Sequence, residues 1–300
     1  MNDVVIVGSV ALDSIEGPGG KAENALGGSA SYAAYSASFY CSAKIIACIG
    51  PDFPVEARKV FDGRNIDLSG LETVPGNTFR WSGKYAKGFV TRDTLKLELG
   101  VFAGFKPVIK SALPESSILF LANIDPDLQM DVLEKAGGKA FVAIDTIDHW
   151  IRSKGDMLKK ALVRSDVFFL NDEEARLISG EDNLVRAGKR IMAMGPKFVV
   201  LKKGEHGAML FSSGGISVVP ALPLEDFRDP TGAGDTYAGA MLGYMAREGK
   251  RDLATMRTAM AHATVMSSFV VEDFSMDRLR RVNQAEIDER LARLRELVRF

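Results

Sequence analysis

Asp229-Pro230-Thr231-Gly232-Ala233-Gly234-Asp235 runs directly into Thr236-Tyr237-Ala238-Gly239-Ala240, a stretch of small residues with helical character. A helix that begins on glycines lets the backbone come close to a ligand. Its first N–H groups have no partner within the helix, so they point at an anion. Asp235 is out of place there, because a carboxylate repels phosphate. It makes sense as the group that takes a proton from a hydroxyl while that hydroxyl attacks a phosphoryl group, a reaction that otherwise needs positioning and charge neutralisation. On these residues alone, an ordinary helix start with Asp235 in a first turn favoured by the macrodipole reads equally well.

Upstream, short apolar runs at 4–8, 43–48, 118–124, 140–145, 166–171 and 198–201 alternate with helical stretches at 29–40, 127–136, 172–178 and 184–194. Runs that are apolar throughout suit strands covered by helices on both faces, so the alternation predicts an α/β fold with a doubly wound, mostly parallel sheet. Residues 207–212 and 216–219 read as antiparallel strands at its edge, and the last third of the chain reads as helical. Ile287, Leu291, Leu294 and Val298 recur at helical spacing and are expected to pack on the core. From Thr78 to Val101 the period changes to two: Phe79, Trp81 and Tyr85 alternate with Arg80, Ser82 and Lys84, and Leu95, Leu97 and Leu99 alternate with Lys96 and Glu98. Antiparallel strands with one apolar face are expected, forming a small β lid over a site, an extension of the sheet or a dimer contact. We read residues 1–300 as one domain, with the lid formed mainly by about 73–103 inserted in it.

The composition narrows the function classes. A net charge of -1 over 300 residues leaves no basic surplus for a nucleic-acid backbone. The longest apolar runs, such as Val4 to Val7 and Val167 to Leu170, are far short of the ~20 residues a bilayer span needs. No basic leader precedes the first strand, so a cytoplasmic location is expected. Cys41 and Cys48 read as buried free thiols, and three scattered histidines give no zinc pattern.

In open α/β sheets ligands bind beyond the carboxyl ends of the strands. There Asp13 follows the first strand and Gly27-Gly28-Ser29 opens the next helix; a carboxylate can take two hydroxyls of a polyol, and the glycines let N–H groups approach it. Asn171-Asp172-Glu173-Glu174 reads as a capping box and also as a place for hydrated Mg²⁺. Lys202-Lys203-Gly204-Glu205 is a turn that approaches a nucleotide or a plain basic turn.

Val7-Gly8-Ser9 with Asp13, Gly27-Gly28-Ser29-Ala30, Asn171-x-x-Glu174, Lys203-Gly204-x-x-Gly207 and the Asp229–Asp235 segment occur in the order seen in the ribokinase-like carbohydrate kinases, the PfkB family, which this chain resembles from its first strand to the helices after Asp235. The last motif is highly specific to that family. The resemblance implies a ribokinase-like fold with a small β-sheet lid, and ATP-dependent phosphorylation of a hydroxyl, usually primary, on a sugar or sugar-like acceptor. It makes Asp235 the catalytic base and Gly232, Ala233 and Gly234 an anion hole. Asp13, Gly27, Gly28 and Asn123 fall among the acceptor positions. Asn171 and Glu174, the latter through water, go with phosphate and Mg²⁺. Lys203, Gly204, Gly207, Thr231, Ala261 and Thr264 go with ATP, and room remains for a monovalent cation. Tyr32 stands where ribokinases and adenosine kinases usually carry an asparagine that touches the sugar, which argues against ribose or adenosine; it stacks on a ring or packs in its helix. Arg80, Lys84 and Arg92 suit an acidic acceptor or plain solvation, and Trp81, Tyr85 and Phe89 suit base stacking. Nucleoside and cyclitol acceptors thus compete with sugars, and a homodimer through the lid is in keeping with its apolar face. A non-catalytic regulator is the reading from another class; a binding role does not need a base at a helix mouth. A dinucleotide oxidoreductase fails because no Gly-x-Gly-x-x-Gly follows the first strand.

Overall fold

Val4, Val5, Ile6 and Val7 are all buried, although successive side chains of a strand point to opposite faces. This strand therefore has helices on both sides, which explains why its sequence is apolar without alternation. The computed structural model describes residues 3–89 and 92–299, and the side chains of Phe89 and Arg92 lie outside the described residues, so the readings placed on those two side chains do as well.

Numbered along the chain, the elements begin β1 (Val4–Val7), β2 (Ala11–Gly17), β3 (Gly20–Gly27), α1 (Ser29–Ala37), β4 (Ala43–Ile49), α2 (Val55–Lys59), β5 (Ile66–Thr73), β6 (Arg80–Tyr85) and β7 (Arg92–Glu98). They continue with β8 (Ile118–Leu121), α3 (Pro126–Lys135), β9 (Phe141–Asp145), α4 (Asp148–Val163), β10 (Val167–Asn171), α5 (Asp172–Ser179), α6 (Leu184–Met192) and β11 (Phe198–Lys202). The chain closes with β12 (Ala208–Ser212), β13 (Gly215–Val219), α7 (Ala233–Glu248), α8 (Leu253–Val270) and α9 (Gln284–Leu297).

The main sheet has the order β13-β12-β11-β10-β9-β8-β1-β4-β5, parallel except for the antiparallel pairings of β12 with β11 and β13. Val4 and Ile6 join α1, α7, α8 and α9 in one core, while Val5 and Val7 face the other, built with α3 to α6. From β1 the chain runs outward to β4 and β5, then returns to β8 on the other side and proceeds to β11. The order therefore switches between β1 and β8, and a crevice opens beyond their carboxyl ends. Among the described residues no helix is long and apolar enough to cross a membrane.

The small sheet has the order β3-β2-β6-β7. The segment expected to form most of it, 73–103, supplies β6 and β7, but residues 11–27 supply the other two strands. That hairpin gave little sequence signal, because β3 is polar and largely exposed, and its place depends on a parallel pairing of β2 with β6 across the intervening α/β unit. β5 is likewise an addition: at the sheet edge its first five residues alternate between half-buried and exposed, only Leu71 is buried, and there is no apolar run. Ile287, Leu291 and Leu294 are core residues as expected, whereas Val298 is 44% exposed just past the end of α9.

Candidate active site

α7 begins at Ala233, with Gly232 as its N-cap at φ 76°, a left-handed conformation that favours glycine. A Cβ on Gly232 would also lie 2.4 Å from the ring of Tyr32. Tyr32 is thus a packing support beneath the turn. It is 1% exposed, its hydroxyl has no hydrogen-bond partner, and burial, followed by the nearby Asp13, Asp229 and Asp235 carboxylates, pushes the phenol well above its usual range. Asp229 is buried too; its Oδ1 accepts from the Thr231 N–H at 2.9 Å and pins the turn. Of the three residues expected to form an anion hole, Ala233 already donates its N–H to the Pro230 carbonyl at 3.1 Å. The N–H groups of Gly232 and Gly234 have no acceptor among the described residues. The Ser267 hydroxyl on α8 donates to the Ala233 carbonyl at 3.0 Å and fixes the helix start from behind.

On the β1 side, Asp13 is buried on β2, and a Cβ on Gly27 would come within 1.9 Å of its carboxylate. Gly27 is therefore required for Asp13 to lie flat at the mouth of α1. Gly28, the N-cap of α1 at φ 94°, presses on the Ser9 carbonyl. The expected free N–H groups at this helix start are partly taken, since Ser29 donates to Ser9 Oγ (3.0 Å) and Ala30 to the Ser9 carbonyl (3.0 Å). Asp13 pairs in register with Trp81, and Trp81 with Leu97, so the three share one face of the small sheet. Trp81 lies over Gly83, whose Cβ would sit 2.1 Å from the indole, and its Nε1 donates to Thr94 Oγ1 at 3.2 Å. Arg80 and Lys84, the cations considered for an acidic acceptor, are on the opposite face. They bind Asp52 (2.8 Å) and Glu16 (2.6 Å) there. Tyr85, buried on β6, reaches Thr231 with its hydroxyl 3.0 Å from Thr231 Oγ1. Asn123, just past β8, accepts from Trp150 Nε1 at 3.0 Å.

The ends of β9, β10 and β11 adjoin, with Asn171 opposite Lys202 and Phe169 opposite Asp145. The Asn171–Glu174 capping box is complete, at 2.7 and 2.8 Å, and burial pushes the Glu174 carboxyl up to about 8. Lys202 donates to Asp145 Oδ2 at 2.8 Å, an ion pair absent from the sequence reading because its members are 57 residues apart. Among the described residues, no three or more His, Cys, Asp or Glu side chains form a metal cage.

The turn after β11 is closed by the Lys203 N–H on the Gly207 carbonyl (2.8 Å), with Gly204 at φ 53° and Gly207 at φ 80°. Gly207 packs on Val219 and Pro220, and these two line a cavity of about 320 Å³ with Thr258, Ala261, His262 and Leu294. Ala261 faces that cavity; Thr264 is buried away from it, deeper along α8.

The pfkB family carbohydrate kinase profile matches residues 1–277. The chain is similar to the cytidine kinase of Thermococcus kodakarensis, 29% identical over 254 residues, which span 82% of this chain and 90% of that protein. Its fold is similar to that of the nucleoside kinase of Methanocaldococcus jannaschii, an archaeal member of the ribokinase family (TM-score 0.78, 20% identity, 98% of this chain and 99% of that one). The same holds for a putative ribokinase II from E. coli solved with ATP and Mg²⁺ (TM-score 0.78, 19% identity, 98% and 100%).

Proposed function

This chain belongs to the PfkB family of carbohydrate kinases, ATP-dependent phosphotransferases with an alcohol acceptor, and from that membership we propose that it phosphorylates a hydroxyl, primary in our reading, of a nucleoside. The observation that carries the acceptor class is Trp81, which lies flat over Gly83 on the same face of the small sheet as Asp13 and directly across the ladder from it. A sugar's hydroxyls bind the Asp13 carboxylate while a flat base stacks on the indole one residue-width away. The similarity to a cytidine kinase supports the same reading.

In the reaction, Asp235 takes the proton of the attacking hydroxyl, and the N–H groups of Gly232 and Gly234 bind the charge that develops on the phosphoryl group. ATP enters with its base in the cavity by Ala261 and its phosphates along the Lys203–Gly207 turn towards α7, with Thr231 beside them. Among the described residues there is no complete cage for Mg²⁺, which suits an ion that arrives on the triphosphate and keeps its waters. Glu174 uses one oxygen in its capping box, leaving the other for such a water. The metal supplies neutralisation of phosphate charge. The small sheet closes over the acceptor as a lid and excludes water, and its exposed Leu95 and Leu97 offer a contact for a second copy. Free Cys41 and Cys48 suit a reducing cytoplasm.

An ADP-release screen with Mg-ATP across nucleosides, sugars and inositols tests this. Nucleosides are expected to be turned over, and Asp235→Asn to lower kcat at least ~10³-fold with ATP binding retained. Turnover of sugars or inositols in preference to every nucleoside would refute the acceptor assignment; wild-type turnover by the variant would refute the base.

A further inference from the structure

Lys202 has no part in the chemistry described so far, yet it sits at its centre. The residue ends β11, next to Asn171 on β10 and two strands from Asp145 on β9. Its side chain is only 17% exposed, and its ammonium lies 3.1 Å from where a Cβ on Gly234 would be, beside the second residue of α7. The ammonium and the first-turn N–H groups of α7 thus converge on one place. Burial works against its charge, but the carboxylates of Asp145, Glu174 and Asp235 outweigh burial and hold Lys202 above its usual value. It is a fixed cation.

We propose that Lys202 is a further catalytic residue, whose ammonium binds the terminal phosphoryl group of ATP at the mouth of α7 throughout its transfer. The proposal rests on the kinase reading above.

Two arguments carry it. The first is the donor count. An ammonium has three N–H groups, and among the described residues Asp145 is its one hydrogen-bond acceptor, which leaves two donors at the helix mouth. The second is charge. Asp145 and Asp235 flank a place that must receive a polyanion, and without a protein cation these two carboxylates oppose its arrival. A lysine needed only as counter-ion to Asp145 would do no more than an apolar pair of similar volume, since buried ion pairs are seldom net stabilisers.

In the step itself, the acceptor oxygen forms a bond to the γ-phosphorus and the bond from that phosphorus to the β,γ-bridging oxygen breaks, its electron pair leaving on ADP. The acceptor's proton goes to Asp235. Lys202 neither gives nor takes a proton; Asp145 is a positioning residue that aims it.

Four proteins test this: wild type, Lys202→Met, Lys202→Arg, and Lys202→Met with Asp145→Leu, the last removing both buried charges so that folding is preserved. Melting temperature, steady-state kinetics and calorimetric affinity for AMP and for the β,γ-imido analogue of ATP are measured on each. Lys202→Met is expected to lower kcat ~10²- to 10³-fold with the acceptor KM unchanged, and to weaken the imido analogue about tenfold with AMP unaffected. Arginine should restore part of that affinity, and the double variant should melt like wild type without regaining turnover. A folded double variant within threefold of wild-type kcat, or a Lys202→Met protein that binds the imido analogue as tightly as wild type, overturns the proposal. Failure of the kinase reading looks different: wild type would neither release ADP with any acceptor nor bind the analogue, and the proposal would fall with it.

Discussion

His262 illustrates how one residue can make the fold pH-sensitive. Its ring stacks on Tyr244 at 4.3 Å, its Nδ1 is 3.3 Å from the Tyr40 hydroxyl, and it also lines the cavity by Ala261. Burial, helped by Arg247 and Arg295, lowers its pKa to about 4. Between the ordinary value of 6.5 and about 4, the unfolded chain binds a proton that the folded chain does not. Stability from this residue is therefore complete above pH 6.5 and falls as pH drops through that window, by at most about 3 kcal/mol. Urea midpoints at pH 4.5 and pH 7.5 are expected to differ in that direction for wild type, and the difference should shrink in His262→Phe. Glycines at 27 and 232 show the same economy: each is required by one neighbour, Asp13 or the Tyr32 ring, that proximity in sequence does not reveal.

Among the elements, α1 and α7 behave as a single block. A Cβ on Gly239 would lie 2.1 Å from the Ala33 carbonyl, one on Gly243 would lie 2.8 Å from Ala37 Cα, and Ser36 Oγ donates to the Thr236 carbonyl at 2.8 Å. The backbones touch, so even Gly239→Ala is expected to cost about 3 kcal/mol or more by overpacking against a backbone that cannot yield, read as a lower urea midpoint. The small residues after Asp235 signalled a helix in the sequence, but their reason, a close crossing with α1, needed the fold. Of the strands legible in the sequence, β1, β4 and β8 to β11 are buried on both faces, where apolar content alone marks them, while β6 and β7 were marked by their two-residue period and β12 and β13 by their place after β11. β2, β3 and β5 carry no such mark, and β2 is defined by a partner, β6, more than 60 residues away. The site divides in the same way. The Asp229–Asp235 segment and the Asn171–Glu174 box are contiguous and could be read directly, whereas Lys202–Asp145 and Tyr85–Thr231 exist only through strand register and the docking of the two sheets.

At the scale of the whole molecule, two of the contacts between the small sheet and the main body lie close to the transfer turn. The tip of the β2–β3 hairpin sits on it, with a Cβ on Gly19 falling 2.1 Å from the Arg228 carbonyl, and Tyr85 meets Thr231. The first contact is backbone against backbone and the second is one pair of hydroxyls. Tyr85→Phe is therefore expected to leave the melting temperature nearly unchanged while β6 and β7 exchange amide hydrogens about three- to tenfold faster, the loss of one hydrogen bond; unaltered exchange would show that the contact does not hold the sheet. The fused α1–α7 block has a further consequence for how such an enzyme can be redesigned. Because the helix that opens on Gly28 cannot shift without dragging the one that carries Asp235, the geometry of transfer is locked to the floor of the acceptor pocket. Changes of acceptor are left to the roof. A library confined to β6 and β7 that keeps Tyr85, the residue that meets Thr231, would explore new substrates without touching the reaction, while mutations along α1 would trade one for the other.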